Sequence, residues 1–248
     1  MDIWIYDLQQ GTQTRLPTDA SADRFPVWSP GGDTVVFQSG TWGGQLNLVR
    51  RRADGSGSID TLLQGSYEPV SWSRDGKYLI SVKSEEITYI DMGDSRPRPR
   101  VVGVSAKVVE ARLSPDGKYI AFVSEETGRP EVYVTPFPEG GRKWRASMRG
   151  GVQPKWAKGG KELFFLENGN VSSVSFADRP SLRIGNPQIL FSPDRIRGYV
   201  YDTGTRSYEP ALDGEHFVVV TEAESSGEES SILLLENWQA GIGDGKKP

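Results

Sequence analysis

One short phrase occurs five times in this chain, and it limits the folds open to it. An extended segment ends in an apolar residue, a tight glycine-containing turn follows, and an apolar strand begins. The copies are Trp28-Ser29-Pro30-Gly31-Gly32, Trp72-Ser73-Arg74-Asp75-Gly76, Leu113-Ser114-Pro115-Asp116-Gly117, Trp156-Ala157-Lys158-Gly159-Gly160 and Pro210-Ala211-Leu212-Asp213-Gly214. Their closing glycines lie 44, 41, 43 and 54 residues apart. All-strand units of roughly 40–45 residues, each unable to bury its own faces, are the blades of a β-propeller.

Each copy reads as four strands. Strand a enters the turn, where a positive φ suits Gly and is tolerated by Asn or Asp. Strand b follows, as in Thr34-Val35-Val36-Phe37 and Tyr119-Ile120-Ala121-Phe122-Val123. These runs are apolar on both faces, as expected of a sheet packed between two others. Strand c alternates more, as in Glu131-Val132-Tyr133-Val134, and strand d is short and polar, as befits an outer edge. At the N-terminus, Asp2 to Leu8 reads as a strand c and Thr14 to Pro17 as a strand d, with no a–b hairpin before them. The prediction is an all-β propeller with four-stranded antiparallel blades: five repeat units plus N-terminal closing strands. That makes five or six blades, or part of a larger ring. One propeller domain is expected over residues 1–238, with a flexible Gly- and Lys-rich tail over 239–248. Ile3 and Ile5 are expected to pair beside Ile232 to Leu235, and Trp28, Trp72 and Trp156 to be buried at equivalent turns.

Bulk composition narrows the chemistry. The net charge of −4 argues against sequence-independent nucleic-acid binding, which needs a basic face. No apolar run approaches a membrane span, so no direct membrane insertion is expected, and Met1 to Tyr6 reads as a strand rather than a signal peptide. With zero Cys, disulfides and thiolate metal sites are excluded. His216 is the one histidine, so a Ser-His-Asp triad or histidine-rich metal site would have to use it. It stands where Tyr78 and Tyr119 enter strand b, and is read as a strand-entry residue. No catalytic, metal or cofactor site is expected. Asp75, Asp116 and Asp213 recur at one place in the repeat and are read as turn caps.

The inner strands carry the candidate site. Glu110, Arg112, Gln153, Lys155 and Glu209 stand five or seven residues before a closing glycine, and Arg24, Glu68 and Tyr208 lie near the start of inner strands. Inter-blade ion pairing is the simpler account of these charges. The functional account is a polar pocket for a protein, a peptide or a small polar ligand at one end of the propeller, where loops of several blades converge. Glu110 with Glu209 also suggests a glycosidase carboxylate pair. Trp42, on a b–c loop, is a candidate binding anchor. Arg96-Pro97-Arg98-Pro99-Arg100 reads as a solvated outer loop, with an acidic partner as the sharper alternative.

The phrase from Leu113 to Phe122 and the strand Glu131 to Val134 resemble the TolB-like, WD40-like β-propeller repeat family. The stretch from Glu131 to Pro138, then Lys143-Trp144, then Gly150 to Trp156, then Gly160 to Phe165, is similar to propellers C-terminal to bacterial membrane-anchored serine/threonine kinases, as is Glu236-Asn237-Trp238. The resemblance implies a non-catalytic sensor or protein-interaction domain of a signalling protein, extracytoplasmic if its parent is membrane-anchored and cytoplasmic otherwise. It carries no catalytic residue across, and no H-R-D or D-F-G motif occurs. The alternative is an enzyme-associated propeller: the gating domain of a prolyl-oligopeptidase-type hydrolase, or a glycosidase. Gly31, Gly159 and Pro210 depart from the family phrase, so looser turns are expected in repeats one, four and five.

Overall fold

The computed structural model describes residues 2–7, 10–16, 22–41, 43–192, 208–211, 216–220 and 232–235. Among them all regular structure is strand. The chain divides into two compact units, Met1–Val104 and Ser105–Pro248.

In the first unit, β1 (Ile3–Asp7) and β2 (Thr12–Leu16) form a two-stranded antiparallel sheet. A four-stranded sheet follows in chain order: β3 (Ala22–Trp28), β4 (Thr34–Gly40), β5 (Leu46–Arg52) and β6 (Asp60–Gln64). The next has β7 (Glu68–Trp72), β8 (Tyr78–Lys83), β9 (Glu86–Asp91) and a two-residue edge, β10 (Arg100–Val101). In the second unit, β11 (Val108–Leu113), β12 (Tyr119–Ser124), β13 (Glu131–Pro136) and β14 (Trp144–Arg145) make the third repeat. The fourth comprises β15 (Val152–Trp156), β16 (Glu162–Glu167) and β17 (Asn170–Ala177). The length of β17 lets two short partners, β18 (Arg183–Ile184) and β19 (Gln188–Phe191), share its outer edge. The last repeat shows β20 (Tyr208–Pro210), β21 (Phe217–Val220) and β22 (Ile232–Leu235). The antiparallel four-stranded meander is thus the unit of the fold, as the repeats predict.

The turn between the first two strands of each repeat closes with the same backbone bond. Ser29, Ser73, Ser114, Ala157 and Ala211 each donate their N–H to the carbonyl five residues on, at 2.7–2.9 Å. The closing glycines Gly32, Gly76, Gly117 and Gly160 hold φ between 67° and 76°, where a Cβ is strained. In the second and third copies a carboxylate caps the turn. Asp75 accepts from Ser73 Oγ at 2.6 Å and from the Lys77 N–H at 3.0 Å, and Asp116 repeats this with Ser114 and Lys118. The first turn is not looser for lacking that Asp. Asp33, two residues later than the usual position, accepts from Ser29 Oγ at 2.9 Å. Asp213 lies outside the described residues.

These bonds to the ionised carboxylate lower its pKa. The Ser73 hydroxyl, then the Lys77 N–H, hold Asp75 below its ordinary value of 3.8. At Asp116 burial pushes the other way, and the same two kinds of donor outweigh it. The stability these groups contribute is fully present above pH 3.8 and is lost as pH falls through the lowered folded value. In Ser73→Ala the Asp75 carboxyl should titrate closer to 3.8 by NMR, while Asp116 stays where it was. An unmoved Asp75 would remove the hydroxyl as the cause.

Between sheets the packing is apolar. In the first unit Val36, Leu48, Leu79 and Ile90 form one cluster, with Trp72 half-buried against it. In the second, Ala121, Val132 and Val134 face Leu163, Phe165 and Phe176 across Trp156, which is 9% exposed. Trp28 corrects the sequence expectation, for it is 46% exposed. Trp72 and Trp156 each sit between two sheets of four or more strands, whereas β3 has only the two-stranded β1–β2 beside it. That pair covers Val35, Phe37 and Val49 with Ile3 and Leu16, and leaves the indole at position 28 half in water.

Candidate functional site

A β-bulge interrupts every one of the four fully described inner strands. Register shifts fall between Arg24 and Val27, Pro69 and Ser71, Val108 and Glu110, and Val152 and Lys155. Phe25 and Gln153, at equivalent repeat positions, take φ of 56° and 54°. Pro26, Pro69 and Pro154 sit at these places, where no ladder N–H is required. A bulge re-aims the side chains that follow it. In the second, third and fourth repeats those are Ser71, Glu110 and Lys155, whereas in the first it is the buried Val27.

Six of the nine residues singled out in the sequence come together in the second unit. Arg112 Nη2 pairs with Glu110 Oε1 at 3.0 Å, both side chains little exposed. Lys155 Nζ donates to Glu209 Oε2 at 2.5 Å. The two ends of this pair differ: the Lys155 side chain is 4% exposed and that of Glu209 63%. Tyr208, buried at the start of β20, donates from Oη to the Gln153 carbonyl at 2.8 Å. The bulge at Gln153 turns that carbonyl out of the ladder to receive it. Burial pushes the Tyr208 hydroxyl well above its ordinary range; Glu110 and Glu209 push it further, and Arg112 opposes. Trp156 Nε1 donates to the Arg112 carbonyl at 3.1 Å, so the inter-sheet wedge also fixes the backbone beneath the guanidinium. The arrangement offers a neutral buried phenol, a buried cation and a carboxylate reaching solvent. It suits recognition of a polar group with both charges.

Arg24 and Glu68 belong to the first unit. Burial raises the Glu68 carboxyl, and the charge of Arg24 partly offsets that. Trp42 lies outside the described residues. His216 is half-buried and its carbonyl closes the last turn, the strand-entry role read from sequence. Arg96 to Pro99 is a loop, exposed except at the half-buried Pro97, and Arg100 at the start of β10 is held by Asp94 at 3.2 Å and lies over the Tyr89 ring. Among the described residues no three His, Cys, Asp or Glu side chains converge as a metal site requires. No helix is long and apolar enough to cross a membrane among them. The sequence reading passed over Arg50-Arg51-Arg52, a basic run at the end of a strand c whose counterparts in other repeats carry none.

No protein-family model matches the chain, and no match is found among curated proteins. Solved structures do match its shape. TolB from Acinetobacter baumannii superposes with a TM-score of 0.72 at 18% identity over 95% of this chain. The chain spans 57% of that protein's length. Hydrazine synthase from Kuenenia stuttgartiensis matches with a TM-score of 0.58 at 16% identity, over 92% of this chain and 66% of that one. Identities this low speak to fold alone, and one fold hosts many functions. With no helix among the described residues, four-stranded antiparallel meanders and a repeated inner turn, this chain has the TolB-like β-propeller fold.

Proposed function

We propose that this chain is a non-catalytic binding propeller that takes a peptide or small polar ligand at the group formed by Glu110, Arg112, Gln153, Lys155, Tyr208 and Glu209. One observation carries the reading. Three consecutive repeats contribute to one polar cluster whose cation is buried while its carboxylate stands in water. A merely structural ion pair gains nothing from that asymmetry, since a solvated partner is screened. An incoming ammonium or guanidinium would find Glu209 accessible, and an incoming carboxylate could replace it on Lys155. The resemblance to the propellers of membrane-anchored kinases supports a place in a longer bacterial signalling protein, as its sensing portion. A glycosidase reading is less favoured, because Glu110 and Glu209 each hold a cation rather than facing each other across a substrate.

A peptide-library screen on the purified chain, followed by Glu209→Gln, tests the reading. Glutamine keeps an acceptor for Lys155 but removes the charge. The expected result is an affinity loss of about tenfold or more with a melting temperature shifted by only a few degrees. Unchanged affinity with a large fall in melting temperature would make the pair structural. Turnover of glycosides or peptides, abolished by Glu110→Gln, would overturn the non-enzyme reading.

A further inference from the structure

A cleft of about 600 Å³ opens in the first unit between the turns of the first two repeats. Its wall includes Arg50, Arg51 and Arg52 from β5, Arg74 from the second turn, and the indole of Trp72. None of these basic residues is demanded by the repeat. Pairing with the second strand of each sheet sets Arg50, Arg51 and Arg52 equivalent to Tyr89, Ile90 and Asp91, and to Val134, Thr135 and Pro136. Arg74 stands where the other copies have Pro30, Pro115, Lys158 and Leu212. Where residues depart from what the fold requires, and do so together around one cavity, function is the natural source.

The cleft's acids are engaged. Asp33 and Asp75 accept turn hydrogen bonds from Ser29 and Ser73. Of its guanidiniums, Arg51 donates to the Gly55 carbonyl at 2.9 Å and Arg52 to Ser56 Oγ at 3.0 Å, while Arg50, Arg52 and Arg74 are all exposed. Arg50 pairs with Asp60 at 2.8 Å and Arg52 with Asp54 at 3.0 Å, but all four side chains are about half exposed. Such pairs contribute little and exchange readily for a better-placed anion. Arg74 is exposed and has no ion pair among the described residues. Trp72 is fixed in orientation by its Nε1 bond to the Gly76 carbonyl at 3.0 Å. The planar forks of several arginines beside a fixed ring form a receptor for an oxyanion attached to a flat or apolar body.

We propose that this cleft is an oxyanion-binding site, with Arg74 and Arg52 gripping a carboxylate or phosphate and Trp72 carrying the rest of the ligand. The two sources of such a group are an acidic segment of a partner protein and a small phosphorylated molecule. Its volume suits either a small ligand or a few residues of a peptide. The proposal does not depend on the function assigned to the second unit.

The test titrates the 248-residue chain by calorimetry at low salt with inorganic phosphate, with a hexaglutamate peptide, and with hexaglutamine as control. Binding of phosphate or hexaglutamate, not hexaglutamine, is expected, weakening as ionic strength rises to about 0.3 M. Phosphate binding alone points to a small phosphorylated ligand; tighter hexaglutamate binding points to an acidic protein segment. Arg74→Glu should weaken the bound probe at least about tenfold. Arg74 is exposed, so the melting temperature should hold; Arg52→Ala serves if it does not. Glu209→Gln should leave this affinity untouched, which separates the outcome from that of the second-unit site. No binding of either probe below about 10 mM, or binding indifferent to Arg74→Glu and Arg52→Ala, overturns the proposal.

Discussion

Trp156→Ala should lower the unfolding free energy by about 3–5 kcal/mol, the usual cost of an aromatic cavity, while Trp28→Ala costs less than about half of that. The two residues occupy the same place in the repeat phrase, yet one is 9% exposed and the other 46%. Removing Trp156 empties the slot between the sheets of the third and fourth repeats, where its ring meets Phe176 edge-on with centroids 4.9 Å apart. It also strips the Arg112 carbonyl of its indole donor. Urea denaturation followed by circular dichroism gives both numbers. Equal losses at the two positions would mean that the indole at position 28 is covered in solution. Because Trp156 supports the strand bearing Glu110 and Arg112, its loss should weaken ligand binding in the second unit as well.

Deleting residues 1–18 should be the second large effect. It removes Ile3 and Leu16, both buried, and uncovers Val35, Phe37 and Val49. At about 1.5–3 kcal/mol for each buried aliphatic side chain, the loss from Ile3 and Leu16 alone is about 3–6 kcal/mol. The bared apolar face should also promote association. Light scattering and thermal melting read both consequences. A monomeric deletion variant with an unchanged melting temperature would show that β1–β2 is dispensable and that something else covers the first four-stranded sheet.

Much of this was legible in the sequence because the repeat phrase is a local device. A turn built on Gly32 or Gly117 is decided by five or six residues, and each second strand by its own β-branched run. The inner-strand position of Glu110, Arg112, Lys155 and Glu209 followed from counting back from the turn. Other features depend on what lies across space. Burial of an indole depends on the neighbouring sheet, so Trp28 reads like Trp72 in sequence and differs in the fold. Asp33 takes over from a missing carboxylate two residues earlier because its side chain reaches Ser29, which the phrase alone does not reveal. The bulge at Gln153 left only a proline as its signal, and the carbonyl it presents to Tyr208 has no signature at all. Arg50-Arg51-Arg52 was visible as a charge run, but its significance appears only when Arg74 and Trp72 are found across the same cleft.

The bulges decide where this chain can change length over evolution. An inner strand with one extra residue at a fixed place has a pinned register, and a further insertion or loss beside it would carry every later side chain to the opposite face. The turn that follows is equally intolerant, because its closing bond always spans five residues. Variation in repeat length, from 41 to 54 residues between closing glycines, must therefore be absorbed in the connections among the outer strands. Relatives of this chain should show their gaps there, and a tag or reporter domain grafted into such a connection should leave the inner cluster intact.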